Sequence, residues 1–411
     1  MTEITAETLP ARLSSPRLSA RVSAAESASA LARLIASGRA VTRADLVRET
    51  GLARSTVAAG LDALESVGLL AEDGYLTSAG RGRPGERLRI DPTFGVIAAL
   101  EVDRTGTRVA LYDFGQTAIT TFVLPESVMS DPDALVEDVA REIRAWLREH
   151  DGAPEVRMAV AGISAPVDVR RGTIVGPPVL AGWEQYPFER RLSEAMGCPV
   201  IVRNDADLRA LGEARSLPPS ESPLLYVRLS VGVGAGFTDA ASELFTGVDG
   251  AAGEISHMKA VLREGVACHC GGIDHVASYA SVAAMLERWN ASSPARASED
   301  VEQFEAALKR RDLDALAIAS EAARVLGSAL VDVLLMLNPA RIVIGGSVLE
   351  ASDTVLATIR AVVYESGLPL ATRNLTVTTS ALGEQAGLRG GLVLALEESL
   401  ASVNIARYIG L

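Results

Sequence analysis

The chain has 411 residues, with 39 Lys and Arg against 52 Asp and Glu, and its formal charge of −13 argues against a surface devoted throughout to nucleic acid. Hydrophobic residues make up 48% and charged residues 22%, a globular mix that excludes a wholly disordered chain. The charge is divided unevenly: residues 1–90 carry twelve Arg, no Lys and ten Asp or Glu, for +2, which leaves −15 for residues 91–411. The two parts are expected to meet different partners.

At ~100–200 residues per domain, the length predicts two to four domains. Residues 1–22 read as a flexible arm. Met1 to Pro16 is acidic and then contains Ser and Pro, without the apolar core of a signal peptide. No apolar run reaches the ~18 residues needed to span a bilayer, because Arg228, Asp332 and Asn338 break the most hydrophobic stretches. A cytoplasmic protein without membrane contact is expected.

Over residues 23–90 the pattern predicts a winged helix-turn-helix. Apolar residues recur at helical spacing from Ala24 to Ser37, and a short second helix is signalled by Leu46 and Val47. Gly51 supplies the turn, Arg54 to Val67 forms the third helix, and a strand pair surrounds Gly74 and Tyr75. In the first turn of that third helix, Arg54, Ser55 and Thr56 are placed to reach base edges or phosphates in a major groove. The following Ala58, Ala59 and Gly60 offer no long polar side chain, and Gly60 is expected to cost about 1 kcal/mol of helix stability relative to Ala. The run Arg81-Gly82-Arg83-Pro84 in or beyond the wing has the narrow, cationic form that enters a minor groove; a plain Arg- and Gly-rich linker is the alternative for Arg81 and Arg83.

After Asp91 strands and helices alternate. Val96 to Val102, Arg108 to Asp113 and Ala118 to Leu124 read as a meander, followed by a helix through Leu135 to His150 and a strand at Arg157 to Ile163. A similar order recurs from Leu224, with a strand, a glycine-rich turn, long helices between Val301 and Asn338, and a strand from Arg341 to Ile344. Two related α/β lobes follow: residues 91–204, completed by a C-terminal helix over 392–411, and residues 205–391.

His257, Cys268, His269, Cys270 and His275 gather three of the four histidines and two of the three cysteines within 19 residues. Two thiolates at Cys268 and Cys270, with imidazoles at His257 and His275, match the N2S2 tetrahedron that Zn²⁺ prefers. Four protein ligands leave no open position, so the ion would be structural; reduced, unliganded thiols are the alternative. Glycine-rich turns at 230–236 and at Gly345-Gly346 follow strands, where they serve anion binding or tight connections equally well. Asn204-Asp205 follows a short strand, with a ligand-binding or proton-abstracting carboxylate and helix capping as its two readings.

Together these residues resemble the ROK family (repressors, open reading frames, kinases), and specifically its regulators with a fused winged helix. The carrying segments are Gly162 to Asp168, Ala181-Gly182-Trp183-Glu184, Asn204-Asp205-Ala206, Gly232 to Gly236, Gly250 to His257, Cys268-His269-Cys270-Gly271 and Asn338-Pro339 through Gly346. The resemblance implies a two-lobed, actin-like (ribonuclease H-like) ATPase fold. It implies that Asp205 occupies the place of the sugar-kinase base, and that Asn204, Glu254 and His257 contact sugar hydroxyls. The departures bear on activity. Where family kinases carry an Asp-x-Gly-Gly-Thr phosphate loop, this chain has Glu101-Val102-Asp103-Arg104-Thr105, and a carboxylate facing a triphosphate is repulsive. Val179 and Ala277 replace two further polar sugar contacts, and His275 stands where the family has a third Cys. The expectation is a non-enzymatic transcriptional repressor with structural zinc and no ATP requirement, controlled by a carbohydrate-like effector. It would bind a pseudo-palindromic double-stranded operator as a homodimer or tetramer. A ROK sugar kinase with an appended DNA-binding domain is the alternative.

Overall fold

The computed structural model describes residues 10–14, 18, 22–75, 86–104, 106–124, 131–150, 152–175, 182–262, 264–296 and 298–411. The chain forms two compact units, one of Met1–Ile163, Pro187–Arg203 and Leu388–Leu411, the other of Ser164–Tyr186 and Asn204–Gly387.

The first unit opens with α1 (Ala24–Ala36), α2 (Arg43–Thr50) and α3 (Arg54–Ser66). Ser23 and Thr42 cap α1 and α2, each in a reciprocal box with Glu26 or Asp45. Gly51 ends α2 at φ 68°, a left-handed conformation that turns the chain into α3. A Cβ on Gly60 would stand 2.7 Å from Leu31 Cδ1, so the glycine that weakens α3 is what lets it close on α1. The strands β1 (Leu70–Tyr75) and β2 (Glu86–Ile90) pair antiparallel, Leu70 opposite Ile90, and complete the winged helix. Arg81 and Arg83 lie outside the described residues.

The meander follows as β3 (Val96–Asp103), β4 (Gly106–Asp113) and β5 (Ala118–Leu124), and α4 (Pro132–Glu149) leads to β6 (Val156–Ile163), parallel to β3. The short β7 (Val167–Asp168) and β8 (Thr173–Ile174) form a hairpin of the second unit. Residues 164–186, read from the sequence as part of the first lobe, therefore belong elsewhere. Val169 N donates to Asp249 O at 3.3 Å, which ties the hairpin to the second unit. Then α5 (Phe188–Met196) and β9 (Val200–Asn204) complete a first-unit sheet of order β5-β4-β3-β6-β9.

The second unit continues with α6 (Asp205–Ser216), β10 (Leu224–Leu229) and β11 (Val233–Thr238). Helices α7 (Ala277–Ala280), α8 (Val282–Ala291), α9 (Val301–Lys309) and α10 (Leu313–Leu337) come next. They are followed by β12 (Arg341–Gly345), α11 (Ser347–Ala351), α12 (Asp353–Ser366), α13 (Pro369–Thr372) and β13 (Thr376–Thr379). The sheet order is β11-β10-β12-β13, with β10 and β12 parallel. Strand alternation divides β10 between two layers. Leu225, Val227 and Leu229 join Leu326, Leu330 and Leu334 of α10 in the main core, while Leu224 and Tyr226 pack with Ala210 and Ala214 of α6.

The chain ends in α14 (Ala386–Ser399) and α15 (Ser402–Tyr408), so the C-terminal helix starts before the expected residue 392 and is interrupted after Ser399. The expectation of a flexible arm over residues 1–22 is overturned for Pro10–Ser14. Ala11 and Leu13 are buried, and the backbone of the segment is hydrogen-bonded to Gln116, Ser37 and Glu397. Short apolar residues among the prolines and serines found a seat on the first unit, which composition alone does not reveal. Among the described residues, no helix is long and apolar enough to cross a membrane.

Candidate functional site

Two close backbone approaches assemble the site in the second unit. A Cβ on Gly236 would lie 2.4 Å from the carbonyl oxygen of Ala206, so only a glycine lets β11 sit against the first turn of α6. Gly253, at φ +100°, does the same against Ala235, where a Cβ would lie 2.1 Å from the carbonyl oxygen. Gly236, of the 230–236 turn, thus serves packing. Gly345 and Gly346 are likewise pressed against Tyr226 and Leu229 of β10.

The result brings Asp205, at the start of α6, near Glu254, which precedes the turn Ile255–His257. Burial first, and then the charge of Asp205, push the Glu254 carboxyl up to about 6. Asp205 itself is only 5% exposed and is ion-paired with Arg228. Arg228 Nη1 also donates to Ser164 Oγ at 3.1 Å. Residues of β10 on the α6 side are Leu224, Tyr226 and Arg228, so strand period two aims the guanidinium at the helix start. In the sequence Arg228 is visible as a break in an apolar run, and an arginine on the otherwise apolar face of a strand is the signal for its role here.

Asn204 makes two local bonds. Its Oδ1 accepts from Ala206 N at 2.8 Å, capping α6, and its Nδ2 donates to Ala165 O at 3.0 Å. Of its two readings, capping is the one this geometry displays. Val179 lies outside the described residues, and Ala277 opens α7.

His257, Cys268, Cys270 and His275 converge, one ligand atom from each lying within 4.8 Å of all the others. Backbone bonds hold the loop: Cys268 N donates to Gly272 O and Gly271 N to Cys268 O. Cys270 Sγ lies 3.2 Å from His275 Nδ1. Burial, then His275 and His269, lower the His257 pKa, favouring the neutral imidazole that ligates metal. A tetrahedral Zn²⁺ at about 2.3 Å from sulfur and 2.0–2.1 Å from nitrogen sets its ligands about 3.3–3.8 Å apart, so an inward shift of about 1 Å at most would let this N2S2 set close on the ion. His269 is exposed and outside the group. The third cysteine, Cys198, is buried, its thiol pushed up to about 11, and it belongs to the first unit.

In the first unit, Glu101 on β3 is buried and ion-paired with Arg108 across the β3–β4 register. On the winged helix, Arg54 and Ser55 are exposed and Thr56 half-buried at the start of α3.

Residues 97–398 match the ROK family, and the chain belongs to it. The chain is 28% identical to a glucokinase of Halalkalibacterium halodurans over 74% of this chain and 97% of that protein. It is 23% identical to the xylose repressor of Caldicellulosiruptor bescii over 90% of this chain and 95% of that protein, a match long enough to include the winged helix. Among solved structures, a ROK family transcriptional regulator described as a homologue of the E. coli MLC protein superposes with a TM-score of 0.79 at 22% identity, over 94% of this chain and 98% of the other.

Proposed function

We propose that this protein is a sugar-responsive transcriptional repressor whose ROK domain senses a carbohydrate and does not phosphorylate it. The observation that carries the reading is the Asp205–Arg228 ion pair, on a chain that also bears a winged helix. A general base needs a lone pair directed at the hydroxyl it deprotonates, and here the Arg228 guanidinium takes one of the two Asp205 carboxylate oxygens, Oδ2. In the segment that replaces the phosphate loop, Asp103 and Arg104 stand where family kinases carry two glycines. The match to a xylose repressor over nearly the whole chain supports the same assignment.

In this reading Glu254, Asp205 and His257 face the effector, with Asn204 bracing the start of α6. Arg54, Ser55 and Thr56 read the major groove, and Arg81 and Arg83 contact the minor groove or backbone. His257, Cys268, Cys270 and His275 hold a structural Zn²⁺ that fixes the loop after Glu254. A homodimer presents two winged helices to a pseudo-palindromic operator. Titration of purified protein into DNA from upstream of its own gene tests this. Selective binding over random DNA at moderate salt, weakened by one member of a panel of pentoses and hexoses, is expected. No preference over random DNA defeats it.

The kinase alternative draws on the retained Asp205 and on the similarity to a glucokinase. Sugar-dependent ADP release that disappears in Asp205→Asn would establish it in place of the sensor reading.

A further inference from the structure

Two sets of bonds grip opposite ends of one helix, and neither lies in the effector site or on the DNA-reading face. At the entry to α14, in the second unit, the buried Glu213 of α6 holds the incoming chain. Its carboxylate accepts from Ser380 Oγ, and from Leu382 N at 3.1 Å. One turn earlier on α6, the buried Arg209 donates to Gly383 O at 3.4 Å and pairs with Glu384 at 3.5 Å. The helix that begins at Asp205 therefore fixes residues 380–384, which lead directly into α14.

At the other end, in the first unit, the winged helix rests on the close of α14. Ser29 Oγ of α1 donates to Leu400 O at 2.5 Å, and Arg33 Nη2 to Glu397 O at 2.5 Å. Residues 10–14 strap this junction down. Ser14 N donates to Glu397 Oε1 at 2.6 Å, and Arg33 Nη1 donates to Ser14 Oγ at 2.7 Å. Gln116, buried at a left-handed φ of 73°, accepts from Ala11 N at 2.8 Å and donates to Ala36 O at 2.9 Å. A reader on a loose tether would show none of these bonds.

We propose that α14 carries the effector signal to the DNA-binding module, with the Glu213 grip and the 10–14 strap as its two fixings. The idea rests on the reading of the chain as an effector-controlled DNA-binding protein. Physically, α6 is the element whose first residue meets the effector, and any displacement of it is passed to residues 380–384 through the bonds made by the buried Glu213 and Arg209. An α-helix resists bending and extension, so α14 delivers that displacement to its own far end, to which α1 is fastened. The metal-braced loop then serves to hold Glu254 and His257, and the signal leaves the pocket through α6.

Hydrogen exchange on the full chain tests the route without an effector. Glu213→Gln and Ser380→Ala should raise exchange about tenfold or more in residues 380–385 and also in α1, while β3, β4 and β6 keep their rates. Gln116→Ala should loosen α1 and leave 380–385 unchanged. Faster exchange confined to 380–385 in both grip variants, with α1 as in the wild type, overturns the proposal. A second arm uses D-xylose and D-glucose as probes and DNA from upstream of the gene. For the sugar to which the wild type responds, the grip and strap variants should each keep sugar and DNA affinity within about threefold and lose the effect of one on the other, normally a factor of about ten to a hundred. Variants that retain the full wild-type coupling overturn the route. A wild type that binds DNA but responds to no sugar counts against the sensor reading alone, and the exchange arm still decides the route.

Discussion

Arg228 of β10 is ion-paired with Asp205, the first residue of α6, and the two side chains are 12% and 6% exposed. The contact joins the sheet to the helix at the point where a family kinase would need a free carboxylate. It engages one of the two Asp205 carboxylate oxygens, Oδ2, so a ligand hydroxyl at this site would share the carboxylate with Arg228. Specificity in such a site then depends more on Glu254 and on the shape set by Gly236 and Gly253.

Arg228→Ala leaves Asp205 charged, buried and unpaired. The expected cost is about 3 kcal/mol in urea unfolding, since breaking a buried pair strands the remaining charge. Adding Asp205→Ala should recover at least about half of that loss. A double variant as unstable as the sum of the two single variants would show that the pair contributes nothing. Neither variant is expected to release ADP, because Asp103 and Arg104 still stand where family kinases carry the two glycines of the phosphate loop.

Glu254 makes stability depend on pH in an unusual direction for a carboxylate. Its pKa rises from an ordinary value of 4.5 to about 6, so the folded protein binds more protons than the unfolded chain between those pH values. The stabilisation is complete below pH 4.5 and is lost as pH climbs through 6. The amount is about 2 kcal/mol at ~1.4 kcal/mol per pKa unit. Urea midpoints of the wild type and Glu254→Gln, measured from pH 4.5 to 7, should diverge by that amount as pH rises, the glutamine variant gaining relative stability. Parallel curves would place Glu254 in an ordinary solvated setting.

Much of this arrangement was legible in the sequence, and the rest was not, for definite reasons. The short apolar run Leu224 to Leu229 read as a strand because both of its faces meet buried layers, and the apolar stretch before Asn338 read as helix. The metal group was legible because four ligands of two rare residue types fall close together along the chain. Gly60 read as a local cost, since the sequence does not say that Leu31 approaches it. Gln116 and Pro10–Ser14 carried no signal at all: the hydrogen bond from Ala11 spans 105 positions, and hydrogen bonds leave no periodic trace. Arg228 was visible as a charge in an apolar strand, but its partner was set by which face of the strand meets α6.

Metal removal should act on the loop following Glu254. Stripping the protein with a chelator, or substituting Cys268→Ser, is expected to release about one Zn²⁺ per chain and lower Tm by several degrees. The same treatments should weaken sugar binding, since His257 shares its loop with Glu254. His269→Ala, an exposed position outside the ligand group, should retain the metal. Full metal occupancy in His275→Ala would exclude the four-ligand set.

The DNA-reading prediction follows from the charge division. With a net +2 over residues 1–90, few cations are available to displace counterions, so non-specific binding should be weak and its salt dependence shallow. Arg54 stands exposed at the start of α3, and its first-turn position points to a base or phosphate contact. Arg54→Ala should cost about 1–3 kcal/mol of operator binding, and a base contact would additionally relax sequence preference at one position of each half-site. Replacing Arg81 and Arg83 together should lower affinity for all sequences in similar proportion. If each contacts phosphate in both protomers of a dimer, the logarithmic salt slope should fall by about four. A plain linker would leave both affinity and slope at wild-type values, and equilibrium binding at four or five salt concentrations distinguishes the two.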